Sequence, residues 1–186
     1  EESLVYVGTA QFELGRLQLG EDEGVSDAVQ GFFRSSASTF SSLTKRFPNA
    51  KDAATWQFQS GESYYASLAY ERAVAEYEKV HQNYPESESA PESLYAISTC
   101  YSMLADSAGD EEESAKWRSK LFETNEVLVG KYPQSSYAGN AMVNLGNKLY
   151  NEGSVPEIEN SERIRLYKLA VEKYRVAAEV AGIDAE

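Results

Sequence analysis

Residues 54–87 read ATWQFQSGESYYASLAYERAVAEYEKVHQNYPES. Tyr70, Ala73, Tyr77, Val80 and Tyr84 recur at intervals of three and four, the spacing of one face of an α-helix. Tyr84-Pro85 closes the run, because proline lacks an amide hydrogen and cannot continue a helix. Upstream, Gly61 offers a place where a second helix can come close. The stretch therefore predicts two antiparallel helices with a turn between them and a stop after them.

The same arrangement recurs on both sides. Phe47-Pro48 and Tyr132-Pro133 repeat the aromatic-proline pair, and an alanine stands five residues past each proline: Ala53, Ala90 and Ala138. Thirteen residues past each proline stand Gly61, Ser98 and Gly146, and Gly15 is placed in the same column for the first copy. Ala73 is expected to face Gly61. The helical stripe repeats as Phe33, Ser36, Phe40, Leu43 and Phe47, and as Tyr167, Ala170, Tyr174 and Ala177. A looser version reads Arg118, Leu121, Asn125 and Leu128. Copies one, three and four are longer than copy two, with the extra residues in the turn inside each pair or in the helices beside it.

A small-residue column, then a tyrosine, a small residue, an aromatic and a proline resembles the tetratricopeptide repeat. Residues 54–87 match its spacing without a gap through Gly61, Tyr64, Ala73, Tyr77 and Pro85, and Leu145-Gly146 with Leu149 matches the first half of another copy. The resemblance implies an all-α chain, a right-handed α-solenoid of about four helix pairs. The copies fall near 2–47, 50–84, 87–132 and 135–181 of a single solenoid spanning 1–186. Helices are expected near 3–19, 27–46, 50–68, 70–83, 88–105, 112–131, 136–151 and 160–181, with Gly182 ending the last and no strand. Tyr84-Pro85-Glu86-Ser87 with Ala90, and Tyr132-Pro133-Gln134-Ser135 with Ala138, are similar to the repeat variant of bacterial envelope proteins. Examples are the lipoprotein of the outer-membrane barrel-assembly machine and the periplasmic coordinator of the Tol-Pal system. That likeness implies a periplasmic or outer-membrane-associated scaffold, and the chain is expected to be a fragment of a longer one.

Composition narrows the function. One histidine, His81, and one cysteine, Cys100, leave little material for a catalytic dyad, a metal centre or an internal disulfide. No Gly-rich phosphate loop and no nucleophile beside a base is visible, so no enzyme, cofactor or metal is expected. Trp56, Trp117 and Cys100 are expected to be packing residues, and His81 an exposed one. A formal net charge of −13 opposes nucleic acid, and no stretch is long and apolar enough to span a membrane. Thirteen acids and no Lys or Arg lie in residues 20–27, 106–113 and 152–162, and the rest of the chain carries 17 of each sign. These segments are the inner turns of the long copies, so the net charge is expected along one edge. Asp110-Glu111-Glu112-Glu113 is a consecutive run rather than an alternation about a glycine, which favours a solvated loop or steering of a basic partner over calcium.

The resemblance implies a protein or peptide partner on the concave face, lined by the first helix of each pair. By register that face carries Thr9, Phe12, Arg16 and Leu19; Thr55, Phe58, Glu62 and Tyr65; Glu92, Tyr95, Thr99 and Ser102; and Asn140, Val143, Asn147 and Tyr150. Phe12, Phe58, Tyr95 and Val143 are placed in one column. Apolar rings with polar neighbours suit a binding patch, and they equally suit packing between neighbouring copies. A face with one Arg among two Glu and two Asn departs from the basic clusters with which chaperone-binding relatives hold a C-terminal carboxylate. The alternative function is a structural module that joins domains or copies into a larger assembly. Leu166, Leu169, Val176 and Val180 make the last helix apolar beyond its packing stripe, so self-association through that end is expected.

Overall fold

The computed structural model describes residues 1–19 and 25–182. Among them are eight helices and no strand: α1 (Glu2–Leu19), α2 (Asp27–Arg46), α3 (Ala53–Ala66), α4 (Tyr70–Asn83), α5 (Ser89–Asp106), α6 (Glu111–Lys131), α7 (Ser136–Gly153) and α8 (Asn160–Val180). Each helix packs on the next, while α3 also touches α5 and α5 touches α7. The odd-numbered helices thus form one layer and the even-numbered helices the other, the layout of a tetratricopeptide-type solenoid. Gly182 follows α8 at φ +70, a left-handed stop that glycine adopts without strain.

The aromatic-proline pairs staple one copy to the next. The Tyr84 hydroxyl donates to the Pro48 carbonyl at 3.1 Å, and the Tyr132 hydroxyl donates to the Pro85 carbonyl at 2.9 Å. Behind each pair the turn closes identically. The amides of Ala50, Ser87 and Ser135 donate to the carbonyls of Phe47, Tyr84 and Tyr132, and those of Ala53, Ala90 and Ala138 donate back to the carbonyls of Ala50, Ser87 and Ser135. The three alanines are almost wholly buried, and a larger side chain would part the copies.

The glycine column receives rings. A Cβ added at Gly61 would lie 2.5 Å from the Tyr77 ring, one at Gly146 would lie 2.6 Å from Tyr174, and one at Gly8 would lie 2.9 Å from Phe40. Gly61 therefore faces Tyr77 and not Ala73, since the ring one turn further on is what needs the missing Cβ. The register of copy one is also corrected. Phe40 precedes Phe47 by seven residues, as Tyr77 precedes Tyr84, so Gly8 belongs in the column of Gly61. Gly15 stands two turns along, under Phe33, in the tier where Gly153 receives Tyr167. Seven residues is nearly two full turns, so both glycines share a face.

The long copies gain their length in helices. Copy two has two helices of 14 residues, whereas α5 and α6 have 18 and 21, as do α7 and α8. Some acids of the charged edge are helix caps. Asp110 accepts the Glu113 amide at 2.8 Å while the Glu113 carboxylate accepts the Gly109 amide at 3.2 Å, and negative charge at a helix N-terminus is favourable. Glu21, Asp22 and Glu23 lie outside the described residues.

The end face differs from expectation. Leu166 is buried, and Leu169, Val176 and Val180 are half-buried. Gly139 and Gly153 let α8 settle onto α7, with Val180 over the first and Leu166 beside the second. The exposed apolar residues of α8 are instead Ile164 and Val171, one above the other on the outer side.

Candidate functional site

The inner layer presents the aromatic residues as pairs. The rings of Phe12 and Phe33 lie 5.2 Å apart, those of Tyr65 and Tyr70 5.4 Å, and those of Tyr150 and Tyr167 5.3 Å. These pairs occupy equivalent places, so Phe12 stands with Tyr65 and Tyr150, and Val5 takes the place expected of Phe12 beside Phe58, Tyr95 and Val143. Val5 packs into the core beside Phe40 and Leu43. Phe58 leans on Tyr77 and Tyr95 on Tyr137, with centroids 5.3 and 5.6 Å apart. Phe12, Phe58, Tyr65 and Tyr95 are half-buried, whereas Thr55, Val143, Asn147 and Tyr150 are exposed. Arg16 is exposed and pairs with Glu13, outside the clefts described below.

Three clefts open between successive inner helices and a fourth between α7 and α8. One of about 250 Å³ lies among Thr9, Phe12, Gln59 and Glu62. The next, also about 250 Å³, is lined by Phe58, Glu62, Tyr65, Glu92, Tyr95, Thr99 and Tyr137. A third of about 460 Å³ opens among Ser98, Ser102, Arg118, Asn144, Asn147 and Lys148. A fourth of about 500 Å³ lies between Asn140, Val143 and the C-terminal half of α8. The expected residues Phe58, Glu62, Tyr65, Tyr95 and Thr99 are thus brought together, Asn147 and Val143 line neighbouring clefts, and Thr55 lines none of these.

The second cleft has unusual electrostatics. Tyr77 donates its hydroxyl to Glu62. Burial pushes the Glu62 carboxyl above the ordinary glutamate range, the Tyr77 hydrogen bond partly offsets this, and the charge of Glu92 adds to the rise. Tyr137 is pushed up to about 12 by burial and by the neighbouring Glu92 carboxylate. The third cleft is mixed, lined by Arg118 and Lys148 together with Asp106. Arg118 makes no hydrogen bond or ion pair among the described residues, and Lys148 lies 4.9 Å from the Phe122 ring and 3.9 Å from Glu152. The inner face therefore holds more basic groups than the register implied. Arg118 was placed on the packing stripe, and its signal was that it broke an otherwise aromatic column.

The remaining candidates are structural. Trp56 and Trp117 are buried, and Trp117 stacks on Tyr101 at 5.8 Å. Burial pushes the Cys100 thiol up to about 12, with the Glu62 charge adding, so it stays protonated. His81 is half-buried rather than exposed, with Nε2 3.3 Å from Lys131 Nζ; burial and then that cation lower its pKa. Among the described residues no group of His, Cys, Asp and Glu could hold a metal ion.

A two-layered helical solenoid with a grooved, aromatic inner face defines a repeat scaffold of the tetratricopeptide type. Residues 22–152, more than two thirds of the chain, match the family described as YfiO, outer membrane lipoprotein, and the chain belongs to that family. The matched region runs from the approach to α2 through nearly all of α7. No curated protein matches the chain.

Proposed function

We propose that this chain is a non-catalytic scaffold of the bacterial envelope that holds a segment of a partner protein along its inner face. The observation that carries the proposal is the row of clefts between successive inner helices, walled by half-exposed aromatic rings. Rings with polar neighbours in partly desolvated grooves are the usual anchors of protein interfaces. Membership of an outer-membrane lipoprotein family favours a place at that membrane, and no described helix is long and apolar enough to cross one. The test places a photo-reactive residue at Tyr65, Thr99 or Tyr150, or at Ile164 or Val171, in the native-length chain in its own cell. Adducts with a second protein are expected from the three inner-face positions. Phe58→Ala with Tyr95→Ala should remove them from a folded chain, since losing an aromatic anchor typically costs about 2 kcal/mol or more of binding.

The exposed pair Ile164 and Val171 favours a second reading, a module that assembles through the outer side of α8. Adducts from these two positions alone would establish it and overturn the first.

A further inference from the structure

We infer that the cleft between α3 and α5 takes the cationic side chain, Lys or Arg, of the segment bound on the inner face. The inference rests on the inner face being the binding surface and names the chemistry of one residue of the partner.

The cleft is an aromatic enclosure with two carboxylates. Phe58, Tyr65, Tyr77, Tyr95 and Tyr137 contribute rings, Glu62 and Glu92 contribute acids, and no Lys, Arg or His is among the residues that line it. Four other carboxylates, among them the buried Glu76, are paired with a Lys or Arg of the chain. Glu13 pairs with Arg16, Glu162 with Arg165, and the buried Glu76 with Lys79 at 2.6 Å. Glu62 and Glu92 have no such partner among the described residues. Glu62 instead accepts from the Tyr77 hydroxyl, and Glu92 lines the same cleft as Tyr137. A hydroxyl satisfies one lone pair of a carboxylate and leaves its charge uncompensated.

Two like charges in a partly desolvated pocket repel, and a cation between them removes that cost. Ring faces attract a cation further, most strongly when water is excluded. A Lys or Arg side chain also has an apolar stem that can lie along Phe58 and Tyr95 while its head reaches the carboxylates. An acidic side chain meets repulsion here, and a neutral one leaves the carboxylates unpaired. The volume of about 250 Å³ suits one long side chain. The chain's net charge of −13 favours encounter with a basic segment in general.

The test uses three synthetic peptides, acetyl-Leu-Ala-X-Ala-Leu-amide with X as Lys, norleucine or Glu, titrated into the labelled chain and followed by amide NMR shifts. The Lys peptide should shift Glu62, Tyr95 and Thr99 and bind roughly tenfold more tightly than the norleucine peptide, with the Glu peptide weakest. An Arg peptide should behave like Lys. In Glu62→Gln with Glu92→Gln, checked for helical content by circular dichroism, the Lys and norleucine peptides should bind alike. Equal binding of Lys and norleucine to the parent chain overturns the inference but keeps the inner face as an apolar binding surface. Shifts from none of the peptides on the inner face at millimolar concentration would remove both.

Discussion

Copies two and three share one motif and differ in how they fill it. In copy two Tyr77 is wholly buried, with its ring on Gly61. In copy three those places hold Asn125 and Ser98, and the aromatic pair Tyr65 and Tyr70 gives way to Ser102 and Arg118. Both copies keep the tyrosine-proline staple and the closed turn. Copy two thus closes its helix pair with rings, whereas copy three opens a cleft of about 460 Å³ on the inner face beside the positions where its rings are missing. The motif sets how copies join, and the ring positions set whether the inner face is closed or open.

The comparison breaks most visibly at the ring position. Tyr77→Ala should destabilise the chain by about 3–5 kcal/mol, the usual cost of emptying a buried aromatic site. At the equivalent place Asn125 is wholly buried, and neither polar atom of its side chain finds a protein partner. Asn125→Leu, with the same number and branching of side-chain heavy atoms, should therefore stabilise by about 1 kcal/mol, because an unpaired buried amide is costly. Chemical denaturation of the two variants tests the opposite signs. Losses of similar size at both positions would mean that copy three is packed as tightly as copy two.

Glycines sharpen the same contrast on a smaller scale. Gly61→Ala should cost about 1–3 kcal/mol by forcing a methyl group into the Tyr77 ring. A Cβ at Gly130, in α6 of copy three, would meet nothing within 4 Å among the described residues. Gly130→Ala should stabilise by about 0.5–1 kcal/mol, the ordinary gain in a helix interior. A stabilising Gly61→Ala, seen as a rise in Tm, would show that the ring can move aside.

The helices were legible because prolines stop them and apolar residues recur at helical spacing. Ends moved little: α3 begins at Ala53 because Ala50 belongs to the turn, and α7 runs on to Gly153. The register of copy one was less legible, since no upstream proline indexes it and Gly8 and Gly15 lie on one face seven residues apart. A small-residue column announces a close approach without saying which atom enters, so Ala73 was expected where Tyr77 lies. Phe58, Glu62, Tyr65, Tyr95 and Thr99 were legible as neighbours through the register of the tetratricopeptide resemblance. Tyr137 was missed because it reaches the cleft from the following copy. The third cleft was missed because a space left by absent rings shows in sequence only as Ser102 and Arg118 where copy two has Tyr65 and Tyr70.

The smallest expected effect compares Glu62 with Thr99, which holds its place in copy three. Burial, with the charge of Glu92 adding, raises the Glu62 pKa above its ordinary 4.5 even though the Tyr77 hydroxyl donates to it. Between 4.5 and the raised value the folded chain keeps a proton that the unfolded chain has released. Stability therefore falls as pH rises through that window, and the penalty is complete above it. Glu62→Gln removes the charge and keeps an oxygen that can accept from Tyr77. The variant should melt higher than the parent at neutral pH, with the difference shrinking as pH falls past the ordinary glutamate value. Thr99→Val carries no titrating group, so any change in its Tm should be the same across that range. Thermal melts of both variants at several pH values decide the matter. If the Glu62→Gln difference is independent of pH, its origin is packing, and the carboxylate is not under the electrostatic strain that makes the cleft receptive to a cation.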